Sequence, residues 1–234
     1  MTAPDHLLAL DFDGVICDSA RETGTVGWYA AAEIWPHDFR GLPDDHTLAG
    51  FRAVRPALET GYESILLMRL LADGTPPPQV CREYRTLLDA CRRRYNLDVD
   101  ELKRRFAGVR DRWLARDLPG WLALHTTFPG TAEALAAPLP YPVHIITTKQ
   151  KRFALRLIEA QQLGVPPEHV AGLEAGPKED VLRKLARQHP GAAIHFVEDR
   201  LATLERVLSL RQEGIDLRAY LAGWVYNTDA KLRR

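Results

Sequence analysis

The chain of 234 residues has little cysteine, no excess charge and no long apolar run, and each absence excludes a class of protein. Its cysteines, Cys17, Cys81 and Cys91, are odd in number and lack C-x-x-C spacing, so we expect no disulfide scaffold and a reducing, cytoplasmic location. No apolar stretch approaches the roughly 20 residues that span a bilayer, and no signal peptide is recognised. We therefore expect no membrane partner.

Charge and histidine content exclude further classes. Lys plus Arg and Asp plus Glu both total 31, and a formal charge of zero argues against nonspecific nucleic-acid binding. The 8 histidines lack the spacing of zinc ligands, which favours core or surface positions for them. The length suits one large or two small domains. Composition adds no function of its own, so the motifs must supply it.

The most informative segment is an apolar run, Leu7 to Leu10, that passes directly into the sequence DFDGVICDS, residues 11–19. Such a run predicts a buried parallel strand, and ligands collect at the carboxyl ends of strands in open α/β sheets. Asp11 and Asp13 would repel each other at that strand end. They therefore indicate a bound metal, a role in anion transfer, or both, and Gly14 allows the sharp turn beside them.

Three further motifs follow along the chain. A second apolar strand beginning at Val143 ends in the hydroxyls of Thr147 and Thr148. Lys178 then follows Gly-Pro at the predicted start of a helix, where the helix dipole disfavours a cation unless an anion or carboxylate compensates. A third apolar strand ends in the adjacent acids Glu198 and Asp199.

In this order the four motifs resemble the signature of the haloacid-dehalogenase-like hydrolases, most closely the phosphoglycolate-phosphatase-like branch. The resemblance covers residues 7–19 and about 128–227. It implies an α/β fold, with a Rossmann-like doubly wound parallel sheet as its core. Three positions depart from the pattern of the branch. Thr148 stands where family members often have Asn, Glu198 where they usually have Gly, and Thr203 where they usually have a further Asp.

Roughly 107 residues separate the first two motifs, which is too many for a simple crossover, and they predict an inserted domain. Apolar residues at helical spacing predict helices in residues 56–71, 76–91 and 102–124. The resemblance implies that this insertion is the helical cap of the family, which would exclude bulk water on closing. The predicted domains are 1–19 with 127–234 for the core and 20–126 for the cap.

The resemblance also implies a role for each motif residue. Asp11 attacks phosphorus and forms an aspartyl-phosphate, and Asp13 protonates the leaving group and then deprotonates water. Lys178 and the hydroxyls of Thr147 and Thr148 bind the phosphoryl oxygens. Mg²⁺ is the implied cofactor, and its expected ligands are Asp11, the Asp13 carbonyl, Asp199 and, directly or through water, Glu198.

Substrate specificity is predicted in the insertion. Arg52 and Arg55 lie three positions apart, so in a helix they would share one face and could bind an anionic part of the substrate. A solvated helix start is the alternative interpretation of the same arginines. The expected partner is a small phosphorylated metabolite.

The residues leave several functions open. A magnesium-dependent phosphatase of small phosphate monoesters is favoured. A sugar phosphomutase would use the same acids and differ only in the acceptor of the phosphoryl group. A noncatalytic phosphate-binding regulator is a third hypothesis. A carbon-halogen hydrolase would need neither Asp13 nor Asp199, and their presence argues against it.

Overall fold

The computed structural model describes residues 4–137, 139–224 and 226. The chain divides into two compact units, a core unit of Met1–Asp18 with Thr126–Arg234 and a helical unit of Ser19–His125. Each boundary lies one residue before the one predicted from the sequence. In the predicted core range, residues 1–3, 138, 225 and 227–234 lie outside the described part of the chain.

The core unit contains a five-stranded sheet and a short two-stranded ribbon. The strands are β1 (His6–Leu10), β2 (Cys17–Asp18), β3 (Thr126–Thr127), β4 (Val143–Ile146), β5 (Val170–Ala171), β6 (Ala193–Glu198) and β7 (Leu217–Leu221). The sheet order is β5-β4-β1-β6-β7, and each neighbouring pair is parallel. Strands β2 and β3 pair antiparallel. The predicted α/β fold with a parallel central sheet is confirmed.

Helices account for most of the remaining described residues. In chain order they are α1 (Ala20–Ala32), α2 (Asp45–Val54), α3 (Glu63–Ala72), α4 (Pro77–Arg82), α5 (Tyr84–Arg94), α6 (Val99–Leu122), α7 (Thr131–Ala136), α8 (Lys151–Ala160), α9 (Lys178–Gln188) and α10 (Leu201–Val207). Among the described residues, none of these helices is long and apolar enough to cross a membrane.

Strand β1 lies at the centre of the sheet, and one of its faces is fully buried. Leu7 and Ala9 are fully buried, and they pack with Val181 and Leu182 of α9 and with Leu204 of α10. The predicted buried strand before Asp11 is therefore present, and its carboxyl end lies between β4 and β6.

One helix prediction in the helical unit was too long. The chain forms a 3-10 turn at Arg55–Ala57, and α3 begins only at Glu63 rather than near residue 56. The reason lies in the Glu63 carboxylate, whose Oε2 accepts the backbone N–H groups of Glu59 at 2.9 Å and Thr60 at 2.7 Å. These bonds hold the preceding residues in a turn, so helical spacing there did not produce a helix.

A buried ion pair joins the first and last helices of the helical unit. Glu22 of α1 is fully buried, and Arg110 of α6 donates to both of its carboxylate oxygens, at 2.7 and 2.8 Å. Trp121 Nε1 donates to the same carboxylate at 2.9 Å. Losing one partner of such a pair leaves a buried charge uncompensated, so the contact fixes the relative position of the two helices.

A histidine of β4 lies in a poor environment for a positive charge. The ring of His144 is buried and stacks on His169 with the ring centroids 4.2 Å apart, while His189 lies 6.1 Å away. Burial, with both neighbouring rings adding to it, lowers the pKa of His144 to about 4.

This environment predicts an acid-sensitive stability. The unfolded chain binds a proton at His144 near pH 6.5, whereas the folded chain stays neutral until about pH 4. Stability is therefore lost as the pH falls through that window. We expect the free energy of unfolding to drop by about 2 kcal/mol between pH 7 and 5 because of this residue.

Urea denaturation at pH 7 and pH 5 measures the effect. His144→Gln should reduce the difference between the two pH values, and His37→Gln, which changes an exposed histidine, should leave it unchanged. An identical pH dependence in the wild type and His144→Gln would show that the interpretation is wrong.

Candidate active site

The site is built at the carboxyl ends of neighbouring strands. Asp11 follows β1, and Glu198 and Asp199 lie at the end of β6, its neighbour in the sheet. One carboxylate oxygen from each of these three residues lies within 4.8 Å of the other two, and all three residues are buried. The parallel register thus brings together acids that are far apart in the sequence.

Lys178 supplies the cation in this cluster. It is the first residue of α9, and its Nζ lies 2.9 Å from Asp11 Oδ1 and 2.7 Å from Glu198 Oε2. Burial alone would lower the pKa of Lys178, but the two carboxylates outweigh it and raise the pKa above its usual range. The predicted compensation for a lysine at a helix start is therefore present as two carboxylates.

Asp11 is the acid whose ionisation is hardest to maintain. Burial raises its pKa to about 7, the charges of Glu198 and Asp13 add to this effect, and Lys178 opposes it. These contributions disfavour the charged form of the carboxylate. A cation bound beside it would favour the ionised form.

Glu198 has both of its carboxylate oxygens engaged. Oε2 accepts from Lys178 Nζ at 2.7 Å, and Oε1 accepts from the backbone N–H of Arg200 at 3.1 Å. Burial would raise the pKa of Glu198, yet it is lowered, chiefly by the charge of Lys178. This arrangement suits a residue that holds Lys178 better than one that binds a metal directly.

Gly14 is required by the geometry of the turn after Asp13. Its φ is +90°, in the region that side chains disfavour. A Cβ atom at this position would lie 2.6 Å from Asp199 Oδ2 and 2.7 Å from Tyr226 Cδ2. Glycine therefore lets the turn that carries Asp13 lie directly against Asp199.

The two threonines after β4 have different environments. Thr147 is buried, and its Oγ1 accepts the backbone N–H of Lys149 at 3.1 Å. Thr148 is exposed. Since β4 neighbours β1, Thr147 lies at the same edge of the sheet as Asp11. The phosphate-binding roles of both threonines stay predictions, and the burial of Thr147 favours it over Thr148.

Lys149 is a site residue that the sequence reasoning missed. Its side chain is 1% exposed, and its Nζ lies 3.3 Å from Asp13 Oδ1. Each of the two motif aspartates at the end of β1 is thus matched with a buried lysine. No local pattern in the sequence marks it, because the strand ends at Ile146 and the chain bends at Thr148 and Lys149.

A nearby cysteine offers no alternative nucleophile. Cys17 is buried, and its backbone forms an isolated β-bridge with that of Asp13. Burial, reinforced by the Asp13 charge, raises the pKa of the Cys17 thiol to about 12. The thiol therefore stays protonated at neutral pH, and a thiolate mechanism is unsuited to this site.

The predicted specificity residues both lie in the helical unit, but they differ in environment. Arg52 is exposed in α2, whereas Arg55 is 6% exposed at the start of the following 3-10 turn. The two guanidinium groups therefore do not form the single exposed helical face that their spacing suggested. Their role in substrate binding stays a prediction.

Comparison with solved structures reveals the same fold in several proteins. Phosphatase Tt82 from Thermococcus thioreducens superposes with a TM-score of 0.63 at 15% identity, over 93% of this chain and 92% of that one. A Bacteroides fragilis protein, inferred to be a haloacid dehalogenase-like hydrolase, gives a TM-score of 0.58 at 16% identity, over 97% and 91%. Protein Tyrosine Kinase A of Mycobacterium tuberculosis gives 0.51 at 22% identity, over 98% and 88%.

No protein-family model and no curated protein sequence matches the chain. The likeness to solved structures shows the fold, which this chain shares with a protein inferred to be a haloacid dehalogenase-like hydrolase. The names of the three proteins differ in the reaction they indicate. The fold therefore leaves the reaction to be argued from the site residues.

Lys149→Met tests whether the second buried lysine holds the site together. The substitution removes a buried cation beside the Asp13 carboxylate, and we expect the free energy of unfolding to fall by about 2 kcal/mol, less than for a fully buried pair because the Asp13 side chain is 18% exposed. Chemical denaturation measures this change, and Lys184→Met, at an exposed position of α9, is the control. Equal stability of the two variants would mean that the Lys149 ion pair contributes nothing.

Proposed function

We propose that this protein is a magnesium-dependent phosphatase that hydrolyses small phosphate monoesters through an aspartyl-phosphate. The observation that carries the proposal is the buried group of Asp11, Glu198 and Asp199 with the ammonium group of Lys178 among them. A carboxylate nucleophile, a cation for phosphoryl oxygens and a cluster for a divalent metal are what this reaction needs.

The residues at the cluster fit Mg²⁺. The donors are carboxylate oxygens, which this hard cation prefers, and they are close enough to share one ion. Asp11 and Asp199 are the proposed direct ligands, with the Asp13 carbonyl as implied by the family resemblance. Both carboxylate oxygens of Glu198 already accept hydrogen bonds. Glu198 is therefore proposed to position Lys178, or to contact the metal ion through a water molecule, and not to bind the ion directly. When bound, Mg²⁺ would bring the carboxylate and the phosphoryl group together despite their like charges.

The remaining steps belong to side chains of the chain itself. Asp13, which is ion-paired with Lys149 in the structure, must be protonated before the first of these steps. Asp11 attacks phosphorus, and the bond to the leaving oxygen breaks as Asp13 donates its proton to that oxygen. Lys178 and Thr147 bind the phosphoryl oxygens during the transfer. Asp13, now a carboxylate, takes a proton from water, which attacks phosphorus and releases Asp11. Phosphate leaves, and both aspartates return to their initial states.

A sugar phosphomutase remains the second candidate, because it needs the same acids and a different acceptor. The noncatalytic regulator is less well supported, since a binding pocket alone does not require Asp13 beside a buried lysine. A carbon-halogen hydrolase would not need the Asp199 carboxylate in the cluster. Hydrolysis of a panel of phosphate monoesters, sugar phosphates and nucleotides in Mg²⁺ separates the enzyme from the regulator.

Activity on a generic phosphate ester should require Mg²⁺. Three carboxylates in one buried cluster repel each other, and a hard cation relieves that repulsion. We expect turnover to disappear in excess chelator and to return when Mg²⁺ is added back. Full turnover in chelator would contradict the proposed mechanism.

Asp11→Asn and Asp13→Asn should fail at different steps. Asp11→Asn lacks the nucleophile and should never form a phosphoenzyme. Asp13→Asn should form it slowly from nitrophenyl phosphate, whose leaving group needs little protonation, and should accumulate it because water lacks its base. Acid quenching and mass measurement detect the trapped intermediate. Equal trapping in the two variants would overturn these assignments.

The two acids after β6 should contribute unequally. Asp199→Asn removes a proposed direct ligand, so the Mg²⁺ concentration for half-maximal activity should rise steeply. Glu198→Gln should reduce activity by about 10- to 100-fold, as loss of a supporting partner typically does. Magnesium titrations of both variants measure the difference. A wild-type magnesium requirement in Asp199→Asn would exclude it as a ligand.

A further inference from the structure

A pair of histidines on the sheet of the core unit plays no part in the proposed phosphatase site. His6 begins β1, and His195 lies in the neighbouring strand β6. The register pairs His6 with Ala193 and Leu8 with His195, so the two histidines lie on the same face of the sheet. His6 Nδ1 and His195 Nε2 are 3.2 Å apart.

This separation suits two ligands of one metal ion. A zinc ion binds histidine nitrogen at about 2.0–2.1 Å, and two nitrogens 3.2 Å apart at that distance subtend an angle of about 100°. That angle is close to the tetrahedral value and also suits a square arrangement. Because the rings project from paired strands of the central sheet, little backbone rearrangement is needed to bring them together.

The other ring nitrogen of His195 is already held. His195 Nδ1 lies 2.8 Å from the Tyr220 hydroxyl, which comes from the next strand, β7. When Nδ1 carries the proton and donates it to Tyr220, Nε2 presents its lone pair toward His6. Metal-binding histidines commonly use the second nitrogen in this way, which fixes the ring and its tautomer.

The surroundings of His195 disfavour protonation of its ring. Burial, followed by the charge of Arg218, lowers the pKa of His195, whereas Asp216 opposes the shift. A neutral ring is required for metal binding at physiological pH. Arg218 would also repel a cation, but its guanidinium lies 3.5 Å from the Asp216 carboxylate, which offsets that repulsion.

We propose that His6 and His195 form a chelating site for a late transition-metal ion, Zn²⁺ being the probe of choice, with Tyr220 orienting His195. Imidazole nitrogens favour such ions, whereas the carboxylates around Asp11 favour Mg²⁺, so the two sites differ in selectivity. Solvent completes the coordination, because His6 is exposed. A bound ion would crosslink β1 and β6, the strands that lead to Asp11 and Asp199, and would stabilise the folded state.

Calorimetric titration with Zn²⁺, in buffer containing excess Mg²⁺, tests the site in the full chain. We expect one binding step that His6→Asn and His195→Asn each remove or weaken at least about tenfold. Tyr220→Phe should weaken it about tenfold by releasing the His195 ring. His46→Asn, at an exposed histidine of the helical unit, should bind as the wild type does.

Two further measurements make the result decisive. Nitrogen NMR of the histidine rings should show Zn²⁺ shifting Nδ1 of His6 and Nε2 of His195. A zinc step that persists in His6→Asn and disappears in Asp199→Asn would assign the metal to the acidic cluster and overturn the proposal. Absence of any step in the wild type would also overturn it. Because His6 is exposed, its variant should fold even if the His195 variant does not.

Discussion

Repulsion between buried carboxylates is the interaction on which the rest of this site depends. Asp11, Glu198 and Asp199 converge at the ends of two neighbouring strands, and Asp13 follows on the next turn. In a poorly solvated environment such charges are tolerated only with nearby cations. Lys178 and Lys149 supply two of them. The remaining negative charge makes the cluster suited to a divalent metal.

The order of the strands explains how distant residues meet at this site. Strand β1 lies between β4 and β6 and is parallel to both. The three strands, which end at residues 10, 146 and 198, therefore have their carboxyl ends at the same edge of the sheet. Helix α9 starts at the same edge and directs Lys178 into the cluster. The chemistry therefore depends on a topology that is common to α/β sheets, while its identity depends on a few residues at the strand ends.

The strand ends were predictable because they combine two strong local patterns, an apolar run and an abrupt polar stop. Lys149 was missed because a single lysine after two threonines looks like a solvated loop residue. The beginning of α3 was mispredicted because helical spacing continues through a turn that the Glu63 carboxylate stabilises. The differing burial of Arg52 and Arg55 could not be inferred either, since sequence spacing gives the direction of a side chain along a helix and not which neighbouring elements cover it.

The pairing of β2 with β3 has a consequence for how the chain tolerates its large insertion. Asp18 pairs with Thr126, so the residues that bound the helical unit are neighbours in space. The insertion therefore connects two paired antiparallel strands of the core unit, as a short hairpin loop would. Closing such a long connection costs conformational entropy. Contacts within the insertion offset this cost, among them the ion pair between Glu22 of its first helix and Arg110 of its last helix. Insertions of other lengths could therefore replace this one without altering the parallel sheet.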